Sequence, residues 1–147
     1  MLVCDTSGLL AYFDASDAHC AEVCGVIEAD SGPFIVSPYV VAELDYLLAT
    51  RRGIHAELAA LTELSGGAWE FPAIEATDLR ETCAVIERYQ DQKIGVADAS
   101  LVVLARRYRT DRLLTLDHRH FRVVRTTAGK PFTVLPEQGR AESRSVS

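Results

Sequence analysis

The chain has 147 residues, 48% hydrophobic and 24% charged, with a net charge of −6. That describes an ordinary soluble globular protein, long enough for one compact domain with its own core. Its apolar runs fall well short of the ~18–20 residues that span a bilayer. The N-terminus enters an apolar run at Leu2 with neither a basic n-region nor a small-residue cleavage site, so a cytoplasmic protein away from membranes is expected.

Leu2 to Cys4 reads as a short buried strand that ends at Asp5. Ser7 to Phe13 forms a brief helix, and Ala18 to Ala29 an amphipathic one. Phe34-Ile35-Val36 is a second strand, ended by Ser37-Pro38, a pair that also starts a helix with Ser37 as N-cap and Pro38 in the first turn. That helix runs to about Arg52 and stops at Gly53; another covers Ile54 to Leu64, closed by Gly66-Gly67. Trp69 to Phe71 is a third strand, followed by an amphipathic helix from Glu75 to Gln90 with Leu79, Cys83 and Ile86 on one face.

Gly95 precedes an almost wholly apolar helix, Val96 to Tyr108, which belongs at the centre of the molecule. Arg112 to Leu116 is a fourth strand and Phe132 to Leu135 a fifth. From Pro136 the chain turns polar and is expected to be disordered, which divides it into a domain at 1–135 and a tail at 136–147. No internal repeat or linker interrupts the domain.

Short apolar strands alternating with helices indicate an α/β fold, a mainly parallel sheet of about five strands flanked by helices. Sites in such sheets form outside the carboxyl ends of the strands. Asp5 ends the first strand and Asp117 the fourth, which brings both to that edge. The helix carrying Asp98 leads into the fourth strand and runs antiparallel to it. Whether its first turn faces the same edge depends on how the preceding segment folds.

Asp5, Glu43, Asp98 and Asp117 all lie in or beside apolar segments, where an unpaired carboxylate is costly. Each has an ordinary explanation alone. Asp98 suits the positive end of a helix dipole, Asp5 suits a cap, Asp117 suits a turn, and Glu43 suits a partly exposed helix. Together they suit phosphodiester chemistry. Mg²⁺ or Mn²⁺ takes hard oxygen ligands, offsets carboxylate repulsion, lowers the pKa of a coordinated water and stabilises charge on a phosphate. His118 and His120, beside Asp117, read as surface loop residues near RNA in preference to metal ligands. Cys4, Cys20, Cys24 and Cys83 contain no Cys-x-x-Cys pair and read as small packing residues, neither a zinc site nor a disulfide framework.

The net charge hides a polarity. Residues 1–87 carry 3 basic and 15 acidic side chains, and residues 88–147 carry 12 basic and 6 acidic. Arg106, Arg107, Arg109, Arg112, Arg119, Arg122 and Arg125 cluster in one stretch, as a surface for a polyanion does.

Four segments in order, Val3-Cys4-Asp5-Thr6-Ser7, Ser37-Pro38-Tyr39-Val40-Val41-Ala42-Glu43, Gly95-Val96-Ala97-Asp98-Ala99-Ser100 and Leu114-Thr115-Leu116-Asp117-His118-Arg119-His120-Phe121, resemble the PIN-domain ribonucleases of the VapC toxin type. The resemblance spans about residues 2 to 135, and the ordered set is specific where each motif alone is weak. It implies that Asp5, Glu43, Asp98 and Asp117 surround one or two divalent metals, with Asp5 and Asp98 the most direct ligands. Glu43 and Asp117 would act through water, orient the nucleophile or hold a second metal. Thr6 and Thr115 would support them from behind, and Asp91 is a candidate fifth acid. It further implies a structured RNA substrate, transfer or ribosomal, a VapB-type antitoxin that obstructs the site, and a homodimer.

Other readings fit less well. An aspartyl phosphatase-like hydrolase needs a second Asp two residues after the first, where this chain has Ser7. No Gly-x-Gly-x-x-Gly follows the first strand, which argues against dinucleotide binding. A non-catalytic RNA-binding or regulatory protein with a structural metal, and a PIN nuclease of RNA processing, are the alternatives in function.

Overall fold

A computed structural model describes residues 1–138. Strands β1 (Leu2–Cys4), β2 (Phe34–Val36), β3 (Trp69–Glu70), β4 (Arg112–Leu114) and β5 (Thr133–Leu135) form one sheet in the order β3-β2-β1-β4-β5. Every neighbouring pair is parallel, with Val3 opposite both Ile35 and Leu113. The helices are α1 (Thr6–Phe13), α2 (Cys20–Ala29), α3 (Pro38–Arg52), α4 (Ile54–Leu64), α5 (Ala76–Arg88), α6 (Val96–Tyr108) and α7 (His118–Phe121), with a 3₁₀ turn at Gln90–Gln92. This is the α/β architecture expected. No helix among the described residues is long and apolar enough to cross a membrane.

The chain order reverses beside β1. The first half of the sheet grows outward through β2 and β3, and the second half through β4 and β5. A crevice therefore opens above the carboxyl ends of β1 and β4, the switch point where ligands of open parallel sheets bind. Residues Leu2, Val3, Cys4, Leu113 and Leu114 there are fully buried. Helix α6 is the central one, with Ala99 and the run Leu101–Ala105 buried. It packs on α5, α3 and β1.

Helix starts follow the local chemistry. Ser37 caps α3 by accepting from the Tyr39 backbone N–H at 3.3 Å, with Pro38 in the first turn as expected, and Gly53 ends the helix at φ 87°. A left-handed φ there favours glycine.

Several boundaries differ from expectation. The fourth strand stops at Leu114: Thr115 N–H still reaches the Leu135 carbonyl at 3.0 Å, but Leu116 N–H turns to Ser7 Oγ at 2.9 Å and Asp117 N–H to Thr115 Oγ1 at 2.9 Å. On α5 the expected Leu79, Cys83 and Ile86 face packs only through Ile86, which is half-buried against the core. Leu79 is 43% exposed and Cys83 is exposed, whereas Asp78 and Thr82 are buried. Asp78 takes the Glu75 N–H at 3.0 Å and pairs with Arg107 at 3.3 Å, and Thr82 Oγ1 donates to the Asp78 carbonyl at 2.8 Å. A satisfied polar seam thus overrides the apolar spacing.

Cys83 accordingly is no packing residue, while Cys4 is buried and Cys20 and Cys24 are half-buried with their sulfurs 3.8 Å apart. At the end of the domain Pro136 is buried and Gln138 accepts from Arg122 at 2.9 Å, so the packed structure extends past residue 135. The rest of the expected disordered tail, residues 139–147, lies outside the described residues.

Gly8 marks the closest approach of α1 to the sheet. A Cβ there would sit 2.7 Å from Leu114 Cγ and 3.0 Å from the Leu114 carbonyl oxygen. Gly8→Ala is therefore expected to destabilise the fold by about 1–3 kcal/mol through overpacking, outweighing the gain of about 1 kcal/mol that Ala has over Gly in a helix. Urea unfolding of the two proteins reads this directly; equal midpoints would show that α1 can slide off β4 without cost.

Candidate active site

Asp5 is the innermost acid, 3% exposed at the end of β1 and N-cap of α1. Its Oδ1 accepts from Thr6 N–H at 2.8 Å. Its Oδ2 accepts from Ser7 Oγ at 2.9 Å and Thr115 Oγ1 at 2.7 Å. Burial pushes its pKa up, the three hydrogen bonds pull it down, and Asp117 pushes it up again, with a net rise. Ser7 and Thr115 each also accept a backbone N–H from the segment after β4, from Leu116 and Asp117 respectively. Two hydroxyls thereby stitch the ends of β1 and β4 around one carboxylate.

Asp98 sits in the first turn of α6, and that turn does face the carboxyl edge, which answers the question left open by the sequence. A crossover helix antiparallel to the strand it feeds begins where that strand ends. Ser100 Oγ donates to the Ala97 carbonyl at 2.6 Å and lies 2.8 Å from Ser37 Oγ. Ser100's single proton is thus occupied, so Ser37 donates to it. This buried pair ties the start of α6 to the start of α3 and fixes Asp98 relative to Glu43.

Asp5, Glu43, Asp98 and Asp117 all line one open cleft of about 680 Å³, with Thr6, Ser7 and Tyr39 among the other lining residues. Asp98 has its pKa pushed up to about 7, chiefly by burial, then by the negative charges of Asp5 and Asp117, with His120 opposing and Glu43 adding. Arg51, at the last turn of α3, is a cation on the same cleft. Its position, four residues after Leu47 and eight after Glu43 on one helix face, was the available signal for it.

Asp117 caps α7, accepting from His120 N–H at 3.2 Å. That turn brings His120 inward: its Nδ1 lies 2.9 Å from Asp117 Oδ2 and 3.4 Å from Asp98 Oδ2. Neither oxygen lies on the line of a ring N–H, so this buried nitrogen makes no hydrogen bond. His120 is thus part of the site and not the surface loop residue expected. The cap motif Asp117-His118-Arg119-His120 is the local signal, since an Asp N-cap draws the residue three positions on over itself.

Asp98, Asp117 and His120 offer one ligand atom each, all within 4.8 Å of one another. Two carboxylates and an imidazole, in a cluster whose negative charge raises an acid's pKa, form a donor set that fits a divalent cation. Asp5, ranked with Asp98 as a direct ligand from the resemblance, stands behind this trio with both oxygens engaged by the protein.

The remaining candidates divide. Thr115 holds Asp5 as a supporting hydroxyl, and Thr6 lines the cleft with its Oγ1 buried and without a hydrogen-bond partner. Asp91 is exposed in the 3₁₀ turn, in a separate depression shared with Lys93, Arg119 and His120. Arg106, Arg107 and Arg112 lie at the opposite edge of the sheet, paired with Glu81 at 2.9 Å, Asp78 at 3.3 Å and Asp30 at 3.0 Å. Arg109 follows the last turn of α6 at that same edge, about 16 Å along the helix from Asp98. Arg122 bonds Gln138. The arginine run therefore does not form one surface at the cleft, and Arg119 is the member that shares a depression with His120.

The PIN-domain family model matches residues 2–126. Ribonuclease VapC26 of Mycobacterium tuberculosis is 53% identical over 135 residues, covering 92% of this chain and 100% of that protein. The chain belongs to the PIN-domain family, among the VapC ribonucleases. Two solved PIN-like folds agree with the architecture. The M. tuberculosis toxin VapC20, described as cleaving the sarcin–ricin loop, superposes with a TM-score of 0.76 at 19% identity, covering 82% of this chain and 92% of its own. A toxin–antitoxin complex from Klebsiella pneumoniae gives 0.67 at 18% identity, with 84% and 92% covered.

Ionising Asp98 costs this PIN domain more when folded than when unfolded, because its pKa rises from 3.8 to about 7 on folding. In chelator, stability is therefore lost through this group as pH climbs from about 4 to about 7, and the full loss persists above that. Asp98→Asn abolishes the loss. Its melting temperature in EDTA should exceed the wild type's at pH 8, with the gap closing toward pH 4. A variant melting at or below the wild type at pH 8 would remove the charge-repulsion account.

Proposed function

We propose that the chain is a metal-dependent endoribonuclease toxin that hydrolyses phosphodiester bonds of structured RNA and is neutralised by a cognate VapB-type antitoxin. The observation that carries this reading is the convergence of Asp5, Glu43, Asp98 and Asp117 on one cleft at the switch point of the sheet. The identity to a protein named as a ribonuclease supports the activity, and the fold shared with a toxin–antitoxin complex supports the partner. A homodimer, action in the cytoplasm, and transfer or ribosomal RNA as substrate belong to the same proposal.

Asp98 and Asp117, with His120 beside them, would hold Mg²⁺ or Mn²⁺. The ion, when bound, supplies positive charge that offsets the carboxylates, acidifies water and stabilises charge on a phosphate. The other residues do the positioning. Asp5 is fixed by Thr6, Ser7 and Thr115 and sets the negative field at the base of the cleft. Glu43, exposed on the facing helix, orients the attacking water and takes up its proton. Arg51, which lines the cleft, and Arg119, in the depression that shares His120, neutralise flanking phosphates and make affinity salt-dependent.

Asp98→Asn should lower the rate of cutting across a panel of transfer and ribosomal RNA fragments in Mg²⁺ or Mn²⁺ by on the order of 10²–10³-fold, as removal of one charge-stabilising group does. Chelator should stop the wild type entirely. Cutting by the variant at the normal rate would show that the nuclease centre lies elsewhere. Metal-independent binding with no cut across the panel would favour a non-catalytic RNA-binding protein.

A further inference from the structure

We infer that His120 supplies a nitrogen ligand to the metal centre and thereby biases it toward Mn²⁺ over Mg²⁺. The inference rests on the metal-centre reading above and extends it to the identity of the ion. Adjacent ligand atoms around an octahedral ion with bonds of about 2.1 Å stand about 3 Å apart. His120 Nδ1 stands 2.9 Å from Asp117 Oδ2 and 3.4 Å from Asp98 Oδ2, edges of that size.

The same nitrogen is buried yet donates no hydrogen bond, although two carboxylate oxygens are within reach. A ring nitrogen that only neutralised its neighbours would point its N–H at one of them. Here the nitrogen and one oxygen of each carboxylate instead lie within 4.8 Å of one another. The backbone that carries the imidazole is fixed from both outside and within the cluster. Phe121, the next residue, is 2% exposed and packs edge-on against Phe132 at 6.0 Å, and Asp117 Oδ1 accepts the His120 amide. The short helix α7 thus delivers the ring to the cleft as a fixed part of the fold.

Mg²⁺ favours an all-oxygen, heavily hydrated shell. Imidazole suits transition-metal ions better, so exchanging one oxygen for a ring nitrogen costs Mg²⁺ more than Mn²⁺. A cluster of only aspartates and glutamates would hold the two ions with less discrimination.

Calorimetric titration of the metal-free full chain with Mg²⁺ and with Mn²⁺, together with pulsed electron paramagnetic resonance of the Mn²⁺ form, tests this. The wild type should bind Mn²⁺ at least ~10-fold more tightly than Mg²⁺ and show nitrogen coupling to the ion. His120→Ala should weaken Mn²⁺ by ~10–100-fold, the range set by loss of a ligand-shell group, with a smaller effect on Mg²⁺. His120→Gln, which offers an oxygen and keeps the side chain's bulk, should bring the two affinities together. Nitrogen coupling should vanish in both His120 variants and persist in His118→Ala.

Absence of nitrogen coupling in the wild type would overturn the inference. So would a His120→Ala protein that binds Mn²⁺ as tightly or more tightly, the result expected if an imidazolium merely competes with the ion for the carboxylates. Nitrogen coupling without any RNA cleavage would keep the metal ligand and remove the ribonuclease reading. Cleavage without coupling would do the reverse.

Discussion

Everything in the cleft depends on the carboxylate of Asp5 being tolerated at the end of a fully buried strand. Its three hydrogen bonds come from Thr6, Ser7 and Thr115, and the last of these spans 110 residues of sequence. Loss of any donor would leave a buried charge short of partners, which costs more than an ordinary hydrogen bond is worth. The same two hydroxyls receive the amides of Leu116 and Asp117. The carboxylate, the end of β4 and the turn that carries Asp117 and His120 are thus one connected unit. A polar group that would burden a core strand becomes the joint on which the site is assembled.

The electrostatics of that unit are deliberately one-sided. Fold-stabilising ion pairs lie elsewhere: Arg52 with Asp14, Arg106 with Glu81, Arg107 with Asp78, and Arg112 and the N-terminus with Asp30. Within the cleft the acids face one another, and Asp98 shows the consequence in a carboxyl whose pKa rises to about 7. The raised pKa marks stability lost at the cleft, whereas the acids that have cationic partners lie at the opposite edge and on the periphery. A rise of this kind is characteristic of functional sites.

Much of this architecture was legible in the sequence because each signal was local and strong. Ser37-Pro38 announces the start of α3, Gly53 its end, and the apolar run after Gly95 a central helix. The alternation of short strands with helices implied the parallel sheet, and the sheet implied where Asp5 and Asp117 would meet. What escaped was set by contacts between distant segments. Ser7 reads as an ordinary helix residue until Thr115 and Leu116 arrive beside it. The packed face of α5 follows Asp78 and Thr82, because Arg107 on α6 supplies a partner that no periodicity in α5 reveals. His120 looked like a loop residue because its inward turn depends on the Asp117 cap and on Phe121 finding Phe132.

The arginine-rich second half is the instructive case of a composition signal with the wrong address. The cluster stays together in space, with Arg106, Arg109 and Arg112 lining one depression, but it sits away from the acids because α6 and β4 run antiparallel. Residues at the end of the helix and the start of the strand share the edge away from the cleft. There, Arg106, Arg107 and Arg112 meet acids contributed by the other half of the chain, Glu81, Asp78 and Asp30. The opposite charges of the two halves therefore serve first to hold the halves together. Of the remaining cations, Arg51, which the sequence reading passed over, lines the acidic cleft, and Arg119 shares a depression with Lys93 and His120. On the metal-dependent reading proposed above, facing acids repel a phosphate backbone until a divalent ion offsets them, so the ion and not the basic stretch decides entry to the cleft.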